Sequence, residues 1–423
     1  MIRKIFLVAI TMIAAAYHMP ANSQTPYSMY GLGILDDKTL GVNSGMGGVG
    51  YAIDNNKQIN PANPASYAAM DSLTFLFDVG MNVNVNWMKE ATIKETKTTA
   101  NFDYAVLQFP MGKRFAASLG VMPYSDVAYD YSSYIPLGAY SRTGSGGITQ
   151  VYFGAAAKIW KELYFGVNAA FMFGNLTHST TVLPASSYNV MAMIDLVEFH
   201  VTDYKIELGL RYTQPVNEKN SLTFGFVYSP QKKMLGKRYT NTYSLSSSDN
   251  SITMSVSDTT SLKNSYDIAA SYGAGIGYKW DNRLLLGVDV TYQPWSKASF
   301  LPLWEREDMS ADIKGNLHDR IRVSFGGEYR HDQYARQYLR RVRYRLGAYY
   351  DDSYLKVGDA NLREIGATMG LGFPLLQDRS IVNLSAQYFH RKLSSGSAIT
   401  ENGLIISVGI SFNEMWFFKS KLQ

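Results

Sequence analysis

Cysteine is absent from the 423 residues. That excludes disulfides, thiolate metal sites, a cysteine nucleophile and a lipidated N-terminal cysteine. Charge is scarce too, with Asp, Glu, Lys and Arg at 18%, against about 25% in an average soluble chain. The net charge of +5 includes Arg3 and Lys4 at the start, so the basic excess is too small for a nucleic-acid binder. Besides His18, the histidines are His178, His200, His318, His331 and His390. They are dispersed, with no zinc-protease spacing, so no metal site is expected. A hydrolase would need Ser, His and a carboxyl to converge from separate strands; no spacing marks such a set, and the chain reads as a non-enzyme without a cofactor. No segment supplies the ~20 apolar residues of a spanning helix, which rules out a helical membrane protein.

Aromatics and glycine are plentiful. Aromatic residues reach 13%, with 31 Tyr, and glycine numbers 35, which fits a β-protein that meets both lipid and water. Arg3 and Lys4 precede an apolar run from Ile5 to Ala16, broken only by Thr11, and Ala21-Asn22-Ser23 offers a small-x-small cleavage site. This is the pattern of an export signal over 1–23, with a mature chain from about Gln24.

Beyond the leader the dominant signal has period two. Leu73, Phe75, Phe77, Val79, Met81, Val83, Val85 and Trp87 alternate with Thr74, Asp78, Gly80, Asn82, Asn84 and Asn86. One strand face is therefore apolar and the other hydrophilic. Fourteen such segments are expected near 73–87, 101–110, 114–124, 148–160, 163–174, 201–214, 221–230, 266–280, 283–294, 319–330, 341–351, 363–375, 381–392 and 403–412. Short joins at 111–113, 161–162, 215–220, 281–282 and 376–380 mostly alternate with long polar ones at 88–100, 125–147, 175–200, 231–265 and 295–318. An even strand count, short turns at one end and long loops at the other describe an outer-membrane barrel with both termini in the periplasm. The predicted fold class is all-β: a fourteen-stranded antiparallel transmembrane β-barrel over 73–423, monomeric, in contact with outer-membrane lipid and lipopolysaccharide. Trp87, Trp160, Trp280 and Trp295 at strand ends are expected in its aromatic girdles. Residues 24–72 lack strand pattern and precede the first strand directly. A barrel of this size encloses more space than its own side chains fill, so this segment is expected inside as a hatch.

Three patches carry a family resemblance: Gly45-Met46-Gly47-Gly48 through Asn63-Pro64-Ala65-Ser66-Tyr67, Leu119-Gly120-Val121-Met122-Pro123-Tyr124, and Gly409 to Phe417. Together with the topology they resemble the FadL family of outer-membrane transporters for long-chain fatty acids and other hydrophobic compounds. The resemblance implies fourteen strands, a luminal hatch carrying an Asn-Pro-Ala motif, and passive uptake of hydrophobic or amphiphilic small molecules. It also implies a kinked third strand, here at Pro123, through which cargo leaves sideways. The Asn-Pro-Ala triplet occurs twice, so Asn60, Pro61, Asn63, Pro64 and Ala65 are the hatch and gating candidates. Some FadL-like barrels, such as the shuttle component of type IX secretion, hold a protein at the cell surface and transport nothing; that alternative stays open.

Two further sets are candidate ligand sites. Arg320 and Arg322 on one segment, and Arg341, Arg343 and Arg345 on the next, alternate with apolar residues. Arg facing lipid at mid-bilayer costs ~2–4 kcal/mol, so these side chains are expected to form a basic luminal wall. They either pair with luminal acids such as Glu328 and Asp289, or capture an anionic head group through the planar Arg fork. In the 175–200 join, Val190, Met193, Ile194 and Val197 fit either a short amphipathic helix or the start of the next strand. The resemblance implies a ligand-collecting role for such a loop. Gly45, Gly47 and Gly50 match a dinucleotide fingerprint in spacing, but lack the flanking strand and helix it needs.

Overall fold

The computed structural model describes residues 25–37, 39–53, 55–71, 74–136, 138–185, 191–245, 252–302, 315–375, 380–395 and 399–415. Fourteen antiparallel strands close into a barrel. They are β1 (Thr74–Glu90), β2 (Ile93–Pro110), β3 (Phe115–Ile135), β4 (Gly138–Trp160), β5 (Leu163–Pro184), β6 (Ala192–Pro215), β7 (Asn220–Ser229), β8 (Ser271–Trp280), β9 (Leu284–Gln293), β10 (Arg320–Tyr329), β11 (Arg343–Val357), β12 (Ala360–Leu375), β13 (Ser380–Leu393) and β14 (Thr400–Met415). The seam between β14 and β1 runs from Thr400 opposite Lys89 to Met415 opposite Thr74. The leader, Val190 and the tail from Trp416 lie outside the described residues.

Alternation places side chains as the sequence predicts. Met81, Val83, Phe226, Ile276, Val288, Phe325, Ile365 and Ile406 are exposed on the outer face, while Asp78, Asn86, Asn168, Asp289 and Arg345 are buried inside. This apolar outer band is the membrane-facing surface. Trp87, Trp160 and Trp280 are exposed, but Trp295 is not part of a girdle. After Gln293 the chain turns inward through a one-turn helix, Trp295–Lys297. Trp295 is only 1% exposed, with its ring 4.7 Å from that of Tyr354.

The described residues of the predicted long loops at 88–100, 125–147 and 175–200 are instead mostly strand. β3 to β6 run to 21, 23, 22 and 24 residues, whereas about 9–11 suffice to cross a bilayer. The surplus, at about 3.3 Å per residue, carries these hairpins roughly 30 Å further. Water wets both faces there, so the apolar alternation that marks a strand in the sequence disappears. An inserted hairpin, Gly236–Leu245 with Ile252–Ser261, extends the same sheet by pairing with Ala192–Val201 of β6. By the rule of short periplasmic turns and long external excursions, this is the extracellular end.

The N-terminal segment fills the barrel lengthwise. Thr25 bonds Glu401 at the outer end. Tyr27, Met29 and Leu32 join Tyr124, Val127, Leu176, Phe199, Trp295 and Tyr354 in an apolar cluster closing that end. Val42, Met46, Val49 and Ile53 pack on Leu285 of the wall. Tyr67 lies in a third cluster with Leu76, Tyr104 and Tyr152. The described chain therefore starts at the extracellular end, not on the periplasmic side where both termini are expected.

Candidate functional site

The hatch is held to the wall by backbone contacts that only glycine permits. A Cβ on Gly326 would lie 2.0 Å from the Met46 carbonyl oxygen, and one on Gly347 would lie 2.2 Å from the Gly47 nitrogen. Gly225 meets the Tyr51 oxygen at 1.9 Å and Gly166 the Pro64 carbonyl carbon at 2.4 Å by the same measure. Polar groups complete the docking. Gly50 and Tyr51 N–H donate to the Asp289 carboxylate at 2.6 and 2.8 Å, and Gly47 N–H donates to Thr368 Oγ1 at 2.8 Å. Asp289 thus anchors hatch backbone, whereas sequence reasoning offered it as an arginine partner. Burial pushes the Tyr51 phenol up to about 12.

The two Asn-Pro-Ala triplets lie within this contact. Asn63 Nδ2 donates to the Tyr51 carbonyl at 2.8 Å and to the Leu210 carbonyl of β6 at 3.2 Å. Its Oδ1 accepts from Ala65 N–H at 3.0 Å, capping the one-turn helix Pro64–Ala69. Asn60 Nδ2 donates to the Gly50 carbonyl at 2.6 Å, and Asn43 Nδ2 donates to Asn60 Oδ1 at 3.2 Å. The Pro61 carbonyl accepts from Asn168 Nδ2 of β5 at 3.5 Å.

The arginines divide into two groups. Arg320 and Arg322 face the lumen and hold the carboxylates of Asp351 and of hatch residue Asp37. Arg320 Nη2 lies 2.9 Å from Asp37 Oδ1, Arg322 Nη1 lies 3.3 Å from Asp351 Oδ2, and Arg322 also pairs with Asp37. Deeper in the lumen, Arg345 Nε donates to Glu328 at 2.7 Å, and Arg343 Nη1 donates to its other oxygen at 3.4 Å. Arg345 Nη1 also donates to Asn383 Oδ1 at 2.9 Å. Arg341 does not belong to this wall. β11 begins only at Arg343, and Arg341 caps the one-turn helix Tyr338–Arg340, its guanidinium 5.1 Å from the Tyr338 ring centroid. A third cluster went unread in the sequence: Arg391 donates to Glu364 at 2.7 Å and to Glu401 at 3.0 Å. Its members sit on β12, β13 and β14, and no local spacing links them.

Polar cavities remain around the hatch, including one of about 330 Å³ between Asn55, Asn56 and Lys57 and the wall residues Glu328, Arg330 and Arg343. A second, of about 200 Å³, is lined by Asp36, Asp37, Asn82, Asp103, Arg320 and Arg322, among others. Another of about 90 Å³ is lined by Tyr51, Tyr124, Lys205, Glu207 and Arg322, among others. Sites for drug-sized apolar molecules are roughly 300–1,000 Å³ and mostly hydrophobic; these cavities are polar and lie at or below the small end of that range. Burial beside Asp103, Asp37 and Asp126 holds the Asp36 carboxyl well above the usual carboxylate range, against the opposing pull of Arg320.

The wall is interrupted at one place. β2 and β3 pair only from Ala105 opposite Val121 to Pro110 opposite Ala116. Further out, β2 continues paired with β1 as far as Ile93, and β3 with β4, through a register shift between Pro123 and Ser125. The two strands separate just where Pro123, which lacks an N–H, enters β3. The hatch covers the opening from inside. Ile34 and Leu35 pair with Asp126 and Ser125, and Thr25 N–H donates to the Ala128 carbonyl at 2.9 Å. A cavity of about 280 Å³, bordered by Thr25, Ile93, Lys97, Ala128 and Tyr131, lies at the outer end of the gap.

Met193, Ile194 and Val197 form no helix; they lie on β6. Val197 is buried in the apolar cluster at the outer end, and Met193 is exposed.

Comparison with known structures gives the fold a name. The CymD monoaromatic hydrocarbon channel covers 90% of this chain and 99% of its own, at TM-score 0.60 and 15% identity. A Pseudomonas aeruginosa FadL homologue gives TM-score 0.60 at 14% identity, covering 89% of this chain and 99% of its own. The Ralstonia pickettii toluene transporter TbuX gives TM-score 0.58 at 14% identity, covering 89% and 98%. The fold is that of the FadL family. No curated protein matches the sequence. The BamG family model matches residues 1–423, and the chain belongs to the BamG family.

Proposed function

We propose that this outer-membrane barrel works by binding another protein at its extracellular end and does not conduct cargo. The observation that carries the reading is the lumen. The hatch threads it from Thr25 at the outer mouth to Tyr67 against β5, and the space left beside the clustered charges is polar and divided into separate cavities of about 90 to 330 Å³. The guanidinium groups that could receive a carboxylate head group already hold Asp37, Asp351 and Glu328. Hairpins lengthened beyond the bilayer supply an ordered surface for a partner. Reconstitution into liposomes tests the reading: influx of a long-chain fatty acid or toluene should equal that of protein-free vesicles, and saturable, protein-dependent influx would overturn it.

The gap above Val121 favours a second reading, lateral release of a small amphiphile, as the resemblance to FadL transporters suggests. An apolar chain leaving into lipid is favoured by ~0.8 kcal/mol per CH₂ over release into water. The pair Ile34→Cys and Asp126→Cys, at opposed positions in register, would lock the hatch over the opening. Influx abolished by oxidation and restored by reduction would support release here; indifference to oxidation would remove it.

A further inference from the structure

We infer that the outer edge of Ile252–Ser261 is a docking site for an extended segment of a partner protein, added to the sheet as one more strand. The inference rests on the protein-binding reading above and gives it a place and a chemistry. Gly236–Leu245 is paired on both sides, with Ala192–Val201 of β6 and with Ile252–Ser261. Ile252–Ser261 has a ladder on one side only among the described residues. The next barrel strand, β8, cannot supply the other, because β7 and β9 pair with it along its length. Residues 253–259 are exposed on both faces of the ribbon, so no described element of the chain covers them.

A row of outward N–H and C=O groups is a template for another strand, and folded proteins blunt such edges with lysine, proline or short length. The outer end of β2, which likewise lacks pairing to β3, carries Lys94, Glu95 and Lys97. Ile252–Ser261 runs ten residues with one charge, Asp258, and neither lysine nor proline. Its one irregularity is a register shift that leaves Ser255 as an extra residue opposite Thr242 and Tyr243. Met254 and Val256 are 54% and 47% exposed, set among Thr253, Ser255, Ser257 and Thr259. An added strand would satisfy the ladder through its backbone and gain specificity from apolar side chains at alternate positions against Met254 and Val256.

The test is amide hydrogen exchange on the full chain, in native outer-membrane vesicles and after purification in detergent. The expected result is at least tenfold slower exchange across residues 253–260 in the vesicles. Ser257→Lys with Thr259→Lys should abolish that difference while Gly236–Leu245 stays protected, which shows the hairpin still folded. Equal exchange of the edge in both preparations, with protection elsewhere on the extracellular surface, would overturn the edge assignment and leave the protein-binding reading standing. No protection anywhere on that surface would remove both. Protection that appears in the purified protein as its concentration rises would make the occupant a second copy of this chain, and would overturn the partner.

Discussion

The double substitution Gly326→Ala with Gly347→Ala should free the hatch while leaving the barrel closed. Each new methyl would start 2.0 to 2.2 Å from hatch backbone, where carbon and oxygen need about 3.3 Å. The hatch must therefore retreat by about 1 Å at both points. That movement strains the Gly47–Thr368 hydrogen bond on β12. Overpacking costs ~1–3 kcal/mol per site, and a lost hydrogen bond adds ~0.5–1.5 kcal/mol. Taken together, about 2.5–7.5 kcal/mol of docking stability is lost. The barrel itself loses little, since alanine is intrinsically better than glycine in a strand by roughly 0.5–1 kcal/mol. Hydrogen exchange of amides 41–53 should accelerate by about 10²- to 10⁵-fold, at a factor of ten per 1.4 kcal/mol. Heat-resistant migration of the barrel in gels should persist. Gly327→Ala is the control, because the nearest atoms to its methyl belong to Leu285 and Leu286 of the wall and none to the hatch. If exchange is unchanged in a double variant whose barrel is folded, the close approaches do not lock the hatch.

Other consequences can be measured directly. Arg345→Met removes the 2.7 Å contact to Glu328, leaves the longer 3.4 Å one to Arg343 and should cost ~3–5 kcal/mol in denaturant unfolding; adding Glu328→Leu should recover most of it. Asp36 has a folded-state pKa above its ordinary 3.8, so the folded state favours the neutral form. The contribution of Asp36 to hatch docking should be fully present below about pH 4 and be lost as pH rises through the raised value. Asp36→Asn should flatten that decline, read as hatch exchange against pH; a parallel pH dependence in both proteins would contradict the assignment. Deleting residues 41–66 should produce an open pore in planar bilayers. A folded barrel that shows no added leak would mean the segment is not a plug.

Some of this was legible in the sequence and some was not, for physical reasons. Where lipid lies on one side and water on the other, alternation is enforced, so β1 and the inward placement of Arg320, Arg322, Arg343 and Arg345 could be read directly. Beyond the bilayer that contrast ends. Residues 93–101, rich in Lys, Thr and Glu, are a strand with no apolar face, and the hairpin extensions read as loops. Trp295 was misplaced because an aromatic at a strand end fits either an interface or a chain turning inward, and only the fold distinguishes them. The wall glycines were visible only as composition. Gly166, Gly225, Gly326 and Gly347 owe their identity to partners between Met46 and Pro64, about 100 to 300 positions away in the chain. Arg391 likewise meets Glu401 across the β13–β14 pair.

A segment that runs the length of a closed cylinder also constrains the order of assembly. The hatch touches β3, β6, β9, β10 and β12, while the cylinder shuts only when the last strand meets the first. Threading the finished tube from its tethered end would require drawing residues 25–45 past the Gly326 and Gly347 stretch of wall, where there is no room for a single methyl. The strands must instead be laid down around the segment, as hoops around a mandrel, with the seam joined last. The tether between hatch and β1 is short, so the mandrel is present locally from the moment the first hairpin forms, and early wall strands close small loops upon it. A sequence change in the hatch can then act as a defect of manufacture. It would lower the yield of closed barrels while those that do form remain as durable as before.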